Sequence, residues 1–273
     1  MLISKKPHKS SHFIYILCLT LSVLFINCSG GGDVKIGAHS HKHEHHEHGH
    51  AHGKQTVNLN RSLMEKNALL AERNRGFFRA KKLLVLNVVS SPGSGKTTFI
   101  RETAARLAGQ LRVGVIVGDL ATDNDAARLR TAGIPVVQIT TGTVCHLDAD
   151  MVSKAAAQLD LEKLDVLVIE NVGNLVCPAD YDLGEDLRVV LLSVTEGEDK
   201  PLKYPPMFHS ANVAIITKSD MASAAGFNRD LTLINLHRVS HHARIFELSA
   251  KTGDGMQAWL DFLVQQRAAA NGK

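Results

Sequence analysis

Short apolar runs alternate with amphipathic stretches from residue 83 to the end of the chain. The runs near 83–89, 113–118, 136–139, 166–170, 189–194, 213–217 and 244–248 have strand length, and the segments between them mostly repeat at helical spacing. That alternation predicts an α/β domain over residues 83–273, a mostly parallel sheet flanked by helices. Ahead of it, residues 57–82 read as one basic amphipathic helix. Leu59, Leu63, Leu70 and Phe77 recur near helical spacing with no proline between them, and packing against the main domain is the expected role.

The N-terminal quarter follows neither pattern. Residues 13–26, FIYILCLTLSVLFI, form an apolar run behind Lys5, Lys6 and Lys9. The run is too short for a comfortable membrane span and has the length of a signal h-region. Against export, Asn27 precedes Cys28 where a small residue would favour cleavage, and everything after residue 80 reads as a cytosolic α/β protein. A cytoplasmic location is therefore expected, and residues 1–27 are read as a start-site or frameshift artefact rather than a working signal.

Residues 28–56 form a tail dominated by histidine. His39, His41, His43, His45, His46, His48, His50 and His52 stand among fourteen residues with no apolar side chain larger than alanine. Such a tract builds no core and is expected to be disordered without metal. Imidazole suits nickel, zinc and copper, so metal storage is one reading. The other is a solvated polar tail or an expression tag, although the interspersed Lys42, Glu44 and Glu47 are unlike a tag.

Composition adds limits. At 273 residues, 44% hydrophobic and 21% charged, the chain is neither wholly disordered nor a polytopic membrane protein, and it has room for one large domain with appendages. The net charge of +4 is unevenly spread. Residues 54–82 carry eight Lys/Arg and two Asp/Glu, whereas residues 83–273 carry eighteen and twenty-two. A mildly acidic main domain argues against nucleic acid as a partner. Cys18, Cys28, Cys145 and Cys177 lack the spacing of a disulfide framework. Cys145 and Cys177 are then metal ligands or small buried hydrophobes.

Chemistry enters where the first strand ends. Ser90-Ser91-Pro92-Gly93-Ser94-Gly95-Lys96-Thr97-Thr98 is a phosphate loop between a strand and a helix, with Ser90 where the motif usually opens on glycine. Pro92 to Thr98 should wrap phosphate: glycines turn backbone N–H groups inward, Lys96 reaches the β and γ phosphates, and Thr97 offers a hydroxyl to Mg²⁺. Asp119 and Glu170 end two apolar strands, where carboxylates can hold Mg²⁺ and orient water; their other reading is loop capping. Thr217-Lys218-Ser219-Asp220 has the pattern that reads guanine, because a carboxylate accepts both the ring N–H and the exocyclic amine. Ser249-Ala250-Lys251 ends a later strand, where backbone can read the guanine oxygen. Cys145 and His146 are adjacent, and Cys177 follows the Glu170 strand. Thiolate and imidazole suit nickel or zinc, and so few ligands invite completion by a second subunit.

These residues resemble the HypB family of hydrogenase nickel-incorporation GTPases. The blocks are LAERNR (70–75), VVSSPGSGKTT (88–98), GDLATDNDAARL (118–129), TGTVCHLDA (141–149), IENVGNLVCPADYDLGE (169–185) and SVTEGEDKPLKYP (193–205). The likeness spans about residues 57–267, and CHLDA and ENVGNLVCP set it apart from the related urease GTPases, which carry Cys-Pro-His. The resemblance implies a P-loop NTPase of the SIMIBI type that hydrolyses GTP with Mg²⁺ and delivers Ni²⁺. By it, Lys96, Thr97, Asp119 and Glu170 serve phosphate and Mg²⁺, Lys218 and Asp220 read guanine, and Cys145, His146 and Cys177 bind Ni²⁺ or Zn²⁺. It also implies a GTP-dependent homodimer, a HypA-type zinc protein as partner, and the nickel-iron hydrogenase large-subunit precursor as recipient. The family's N-terminal Cys-x-x-Cys-Gly-Cys motif is reduced here to Cys28-Ser-Gly-Gly-Gly, while the histidine tract matches metal-storing members. No glutamine follows a D-x-x-G, so slow hydrolysis is expected. The competing reading is a metal buffer whose GTPase domain is mainly structural.

Overall fold

The computed structural model describes residues 52–271, with side chains from Arg61 to Ala270. The apolar run at 13–26 and the histidines from His39 to His50 lie outside the described residues. Among the described residues, no helix is long and apolar enough to cross a membrane.

Seven strands form one sheet: β1 Leu84–Ser90, β2 Val113–Asp119, β3 Val136–Thr140, β4 Val166–Glu170, β5 Leu187–Ser193, β6 Val213–Thr217 and β7 Arg244–Glu247. Their order is β3-β2-β4-β1-β5-β6-β7, and every pairing is parallel. Each strand lies within two residues of the run that predicted it. The helices are α1 His52–Ala80, α2 Lys96–Leu107, α3 Asn124–Thr131, α4 Ala149–Ala156, α5 Lys200–Lys203, α6 Pro205–His209, α7 Arg229–Val239 and α8 Met256–Asn271.

A parallel sheet covered on both faces needs strands that are apolar throughout. On one face Leu84, Leu86 and Val88 of β1 pack with Phe99 and Ile100 of α2 and Trp259 of α8. On the other, Val85, Ile116, Leu167 and Ile169 meet Phe78 of α1 and Val152 of α4. Strand β1 is flanked by β4 and β5, so the chain reverses its direction of travel around it. Ligands bind outside the carboxyl ends of strands at such a switch point, and the phosphate loop stands there.

The connection from β4 to β5 is unusual for a parallel crossover, which is ordinarily a helix. Residues 171–186 contain only a 3₁₀ turn, Cys177–Asp180. Its carbonyls therefore need partners from elsewhere. Asn67 Nδ2 donates to Asp182 O at 2.8 Å, Asn74 Nδ2 to Leu183 O at 3.1 Å, and Arg75 Nη1 to Glu185 O. Arg188 supplies Ala179 O at 2.8 Å and Tyr181 O at 2.7 Å.

This corrects the reading of α1. The helix starts at His52, earlier than predicted, so residues 52–56 belong to it rather than to the tail. Leu63 and Phe77 are exposed, and the buried stripe is Asn67, Ala71, Asn74 and Phe78. The two asparagines tolerate burial because each meets main-chain partners on both the crossover and the start of α4. Gly184 allows the close approach: its φ is +88°, and a Cβ there would stand 2.6 Å from Ala71 O.

Candidate nucleotide site and metal cluster

Strand β1 delivers Ser90 to the switch point, and α2 begins at Lys96. Between them Gly93 and Gly95 adopt φ of 77° and 94°, a region open to glycine at little cost. The first-turn N–H groups of α2 have no intrahelical acceptors, which makes this helix start a phosphate cradle. Lys96 Nζ lies 3.0 Å from Ser90 Oγ. The serine at the motif's opening position thus holds the lysine over the loop. Burial pulls the Lys96 ammonium below the usual lysine range, opposed by Glu170, Asp125, Glu196 and Asp119.

Thr97 and Glu170 meet directly. Thr97 Oγ1 donates to Glu170 Oε1 at 2.7 Å, while Glu170 Oε2 is buried without a partner. Burial pushes this carboxyl up to about 7, against the Thr97 hydroxyl and the Lys96 charge. A hydroxyl beside a carboxylate with a spare oxygen is an oxygen donor set that fits Mg²⁺.

Asp119 ends β2 as expected, and one of its carboxylate oxygens is bonded within its own loop. Oδ1 accepts from Ala121 N at 3.0 Å, Thr122 N at 2.8 Å and Thr122 Oγ1 at 3.2 Å. Burial would raise this carboxyl, but the bonds from Thr122 and Ala121 outweigh it and hold Asp119 below the usual range.

The guanine-type residues converge beside α2. A cavity of about 230 Å³ is lined by Gly95, Thr98, Thr217, Lys218, Asp220, Ser249, Ala250 and Lys251, among others. Asp220 Oδ1 accepts from Ser249 Oγ at 2.7 Å, Thr217 Oγ1 donates to Ser94 O at 2.9 Å, and Lys218 Nζ donates to Gly93 O at 2.7 Å. Thr217 and Lys218 therefore tie this cavity to the phosphate loop. Pro92, Gly93, Lys96 and Thr97 belong to the same loop and do not line the cavity.

One residue of this site was not singled out from the sequence. Glu196, after β5, accepts from Ser94 Oγ at 2.5 Å and lies 3.7 Å from Lys200 Nζ. Its only sequence signal was membership of the SVTEGEDKP block.

The cluster is assembled from two loops. Cys145, His146 and Cys177 offer ligand atoms that all lie within 4.8 Å of one another, and all three residues are half-buried. A hydrogen bond with Cys177, together with burial, pushes the Cys145 thiol up. Burial pulls His146 down, opposed by Asp148, and its Nδ1 is buried without a partner. Tyr181 stacks on the His146 ring at a centroid distance of 3.9 Å, and Asn174 Nδ2 donates to Cys145 O at 3.3 Å. Two thiols and an imidazole so placed form a partial borderline-soft ligand set.

Residues 84–247 match the nucleotide-binding domain described as CobW/HypB/UreG. The chain is 49% identical to the hydrogenase maturation factor HypB of Escherichia coli K12 over 216 residues, which is 79% of this chain and 74% of that one. The crystal structure of HypB from Helicobacter pylori in complex with nickel superposes with a TM-score of 0.72 at 42% identity, over 75% of this chain and 96% of that one. The hydrogenase maturation factor HypB from Archaeoglobus fulgidus gives a TM-score of 0.70 at 38% identity, over 74% and 99%. With the phosphate loop, the cavity beside α2 and the Cys–His–Cys cluster in place, the chain belongs to the HypB hydrogenase maturation factors, within the CobW/HypB/UreG family.

Proposed function

We propose that this protein is a GTP-hydrolysing nickel metallochaperone. It binds Ni²⁺ at Cys145, His146 and Cys177 and releases it, gated by GTP-dependent dimerisation, to the large-subunit precursor of a nickel-iron hydrogenase. A HypA-type accessory protein is the expected exchange partner, and the histidine tract at 39–52 acts as a nickel store. The observation that carries this reading is the convergence of three metal-ligand atoms within 4.8 Å on loops adjoining the Glu170 strand end. Zn²⁺ suits the same donors, since intrinsic affinity alone does not choose between the two ions.

For hydrolysis, the N–H groups of the 93–98 loop and the Lys96 ammonium bind and neutralise the phosphates. Asp220 takes the guanine edge, and Asp119 fixes the 120–122 turn beside the phosphate site. Mg²⁺, held by Thr97 and Glu170, would neutralise charge on the β and γ phosphates. The sequence has no glutamine after a D-x-x-G, so unassisted turnover should stay well below about 1 per second.

The test is nickel titration of the full chain, read by the thiolate-to-nickel charge-transfer band, with GDP and with a non-hydrolysable GTP analogue, beside sedimentation. The expected result is a band lost in Cys145→Ala, an affinity that differs between nucleotides, and dimerisation with the analogue. A band that ignores both Cys145 and nucleotide overturns the reading.

A further inference from the structure

We infer that Asn171, Asn87, Glu185 and Arg188 are positioning residues that hold the two halves of the metal cluster together and tie them to the nucleotide site. The inference rests on the nickel reading of Cys145, His146 and Cys177, and assigns the regulation of that site to named side chains.

The four residues form one buried chain of hydrogen bonds beneath the phosphate loop. Asn171 follows Glu170. Its Oδ1 accepts from Leu147 N at 3.3 Å, next to His146, and from Val172 N at 2.9 Å. Its Nδ2 donates to Asn87 Oδ1 at 3.2 Å, and Asn87 Nδ2 donates to Glu185 Oε1 at 3.0 Å. The same Glu185 oxygen takes Arg188 Nε at 3.1 Å and Nη2 at 3.0 Å. From there Arg188 reaches Ala179 O and Tyr181 O, on the segment that begins at Cys177 and carries the ring stacked on His146. One end of the chain therefore grips the Cys145–His146 loop, and the other grips the Cys177 loop.

Placement argues for more than filling. All four side chains are buried, with Asn87 at 0% exposure and Asn171 at 1%. Apolar side chains of similar volume would ordinarily serve a core as well or better, so a satisfied polar chain at this place points to a role in specifying geometry. Asn87 stands three residues before Ser90 in β1, and Asn171 directly follows Glu170. A shift of the Glu170 backbone with nucleotide state would move the amide that holds Leu147, and with it the His146 side of the cluster. Supporting residues around a metal site typically change affinity by about 10- to 100-fold when altered.

The test uses the full chain, with the charge-transfer band remaining in Cys145→Ala subtracted to remove Cys18 and Cys28. Nickel affinity is measured with GDP and with the non-hydrolysable analogue for wild type, Asn171→Leu and Arg188→Lys; GDP affinity reports folding and an intact nucleotide site. Both variants are expected to bind GDP within about threefold of wild type, to bind nickel about 10- to 100-fold more weakly, and to lose the difference between nucleotides. A merely structural role would lower both nickel affinities equally and keep their ratio. A wild-type ratio retained in both variants, or in Arg188→Lys if Asn171→Leu fails to bind GDP, overturns the inference. A wild-type protein whose band ignores nucleotide overturns the gated-delivery reading first, and the coupling with it.

Discussion

Thr97 donates its hydroxyl to Glu170 at 2.7 Å, which joins the start of α2 to the end of β4 and leaves the second carboxylate oxygen buried without a partner. Glu170→Gln keeps the size and removes the charge. Single-turnover GTP hydrolysis is expected to fall by about a hundredfold, while GDP still binds. Rapid-quench phosphate release checks it; an undiminished rate would place the Mg²⁺ carboxylate elsewhere.

The base pocket predicts a change of specificity. Asp220 presents acceptors only, and guanine offers a ring N–H and an amine. Asp220→Asn should weaken GTP at least tenfold by removing a charge-assisted bond. It should favour xanthosine triphosphate, whose carbonyl replaces the amine and can take the new amide N–H. Competition between the two nucleotides decides it, and an unchanged preference for guanine would show that Asp220 does not contact the base.

Acid sensitivity should be traceable to Asp165. Arg112 donates to it from Nε at 2.9 Å, Nη2 at 3.2 Å and the main-chain N–H at 2.9 Å. The Arg112 side-chain bonds lead the effects that hold this carboxyl below the usual range. A depressed folded-state value means the stabilisation is present above the unfolded value of about 3.9 and is lost as pH falls through the folded one. Urea midpoints across pH 3–6 should therefore slope less in Asp165→Asn than in wild type. Parallel slopes would remove Asp165 as the cause.

Gly184→Ala is expected to destabilise by at least about 2 kcal/mol, combining the left-handed backbone with a methyl driven against α1. The φ of +88° and the 2.6 Å approach to Ala71 O give both causes. A denaturation midpoint equal to wild type would mean that α1 can lift away from the crossover.

Trp259 Nε1 donates to Thr103 Oγ1 at 3.1 Å inside the core between α8 and α2. Thr103→Val should cost about 1–3 kcal/mol by stranding that N–H. The single tryptophan reports unfolding by its own emission, so one titration tests the loss.

Much of this was legible in the residue pattern. Each of the seven strands was readable because parallel strands buried on both faces are unbroken apolar runs, and the phosphate loop because its glycines have a fixed offset from Lys96. The polar face of α1 was not. Asn67 and Asn74 look like surface residues until their partners, more than seventy residues away, are known. The same applies to Asn87 within an apolar strand and to Arg188 at the start of another, since periodicity records burial but not which distant carbonyl makes burial tolerable. Asp119 was read to the right strand end, yet its bonds to residues 121 and 122 depend on a turn that sequence does not specify. The cysteines showed chemistry, and only the fold brought Cys177 to Cys145.

The crossover from Asn171 to Asp186 has a consequence for the order of folding. It has no helical ladder of its own, and its carbonyls at 182, 183 and 185 are held by residues 115, 109 and 110 positions distant in sequence. Closing loops of that length is entropically costly, so the crossover is expected to settle late, together with the pairing of β5 and the docking of α1. The thiol of Cys177 should therefore reach Cys145 and His146 only as a late event, after the sheet is built. A chain emerging from the ribosome would then present Cys145 and Cys177 singly, and the cluster they form with His146 would capture metal only once the nucleotide-binding sheet is complete.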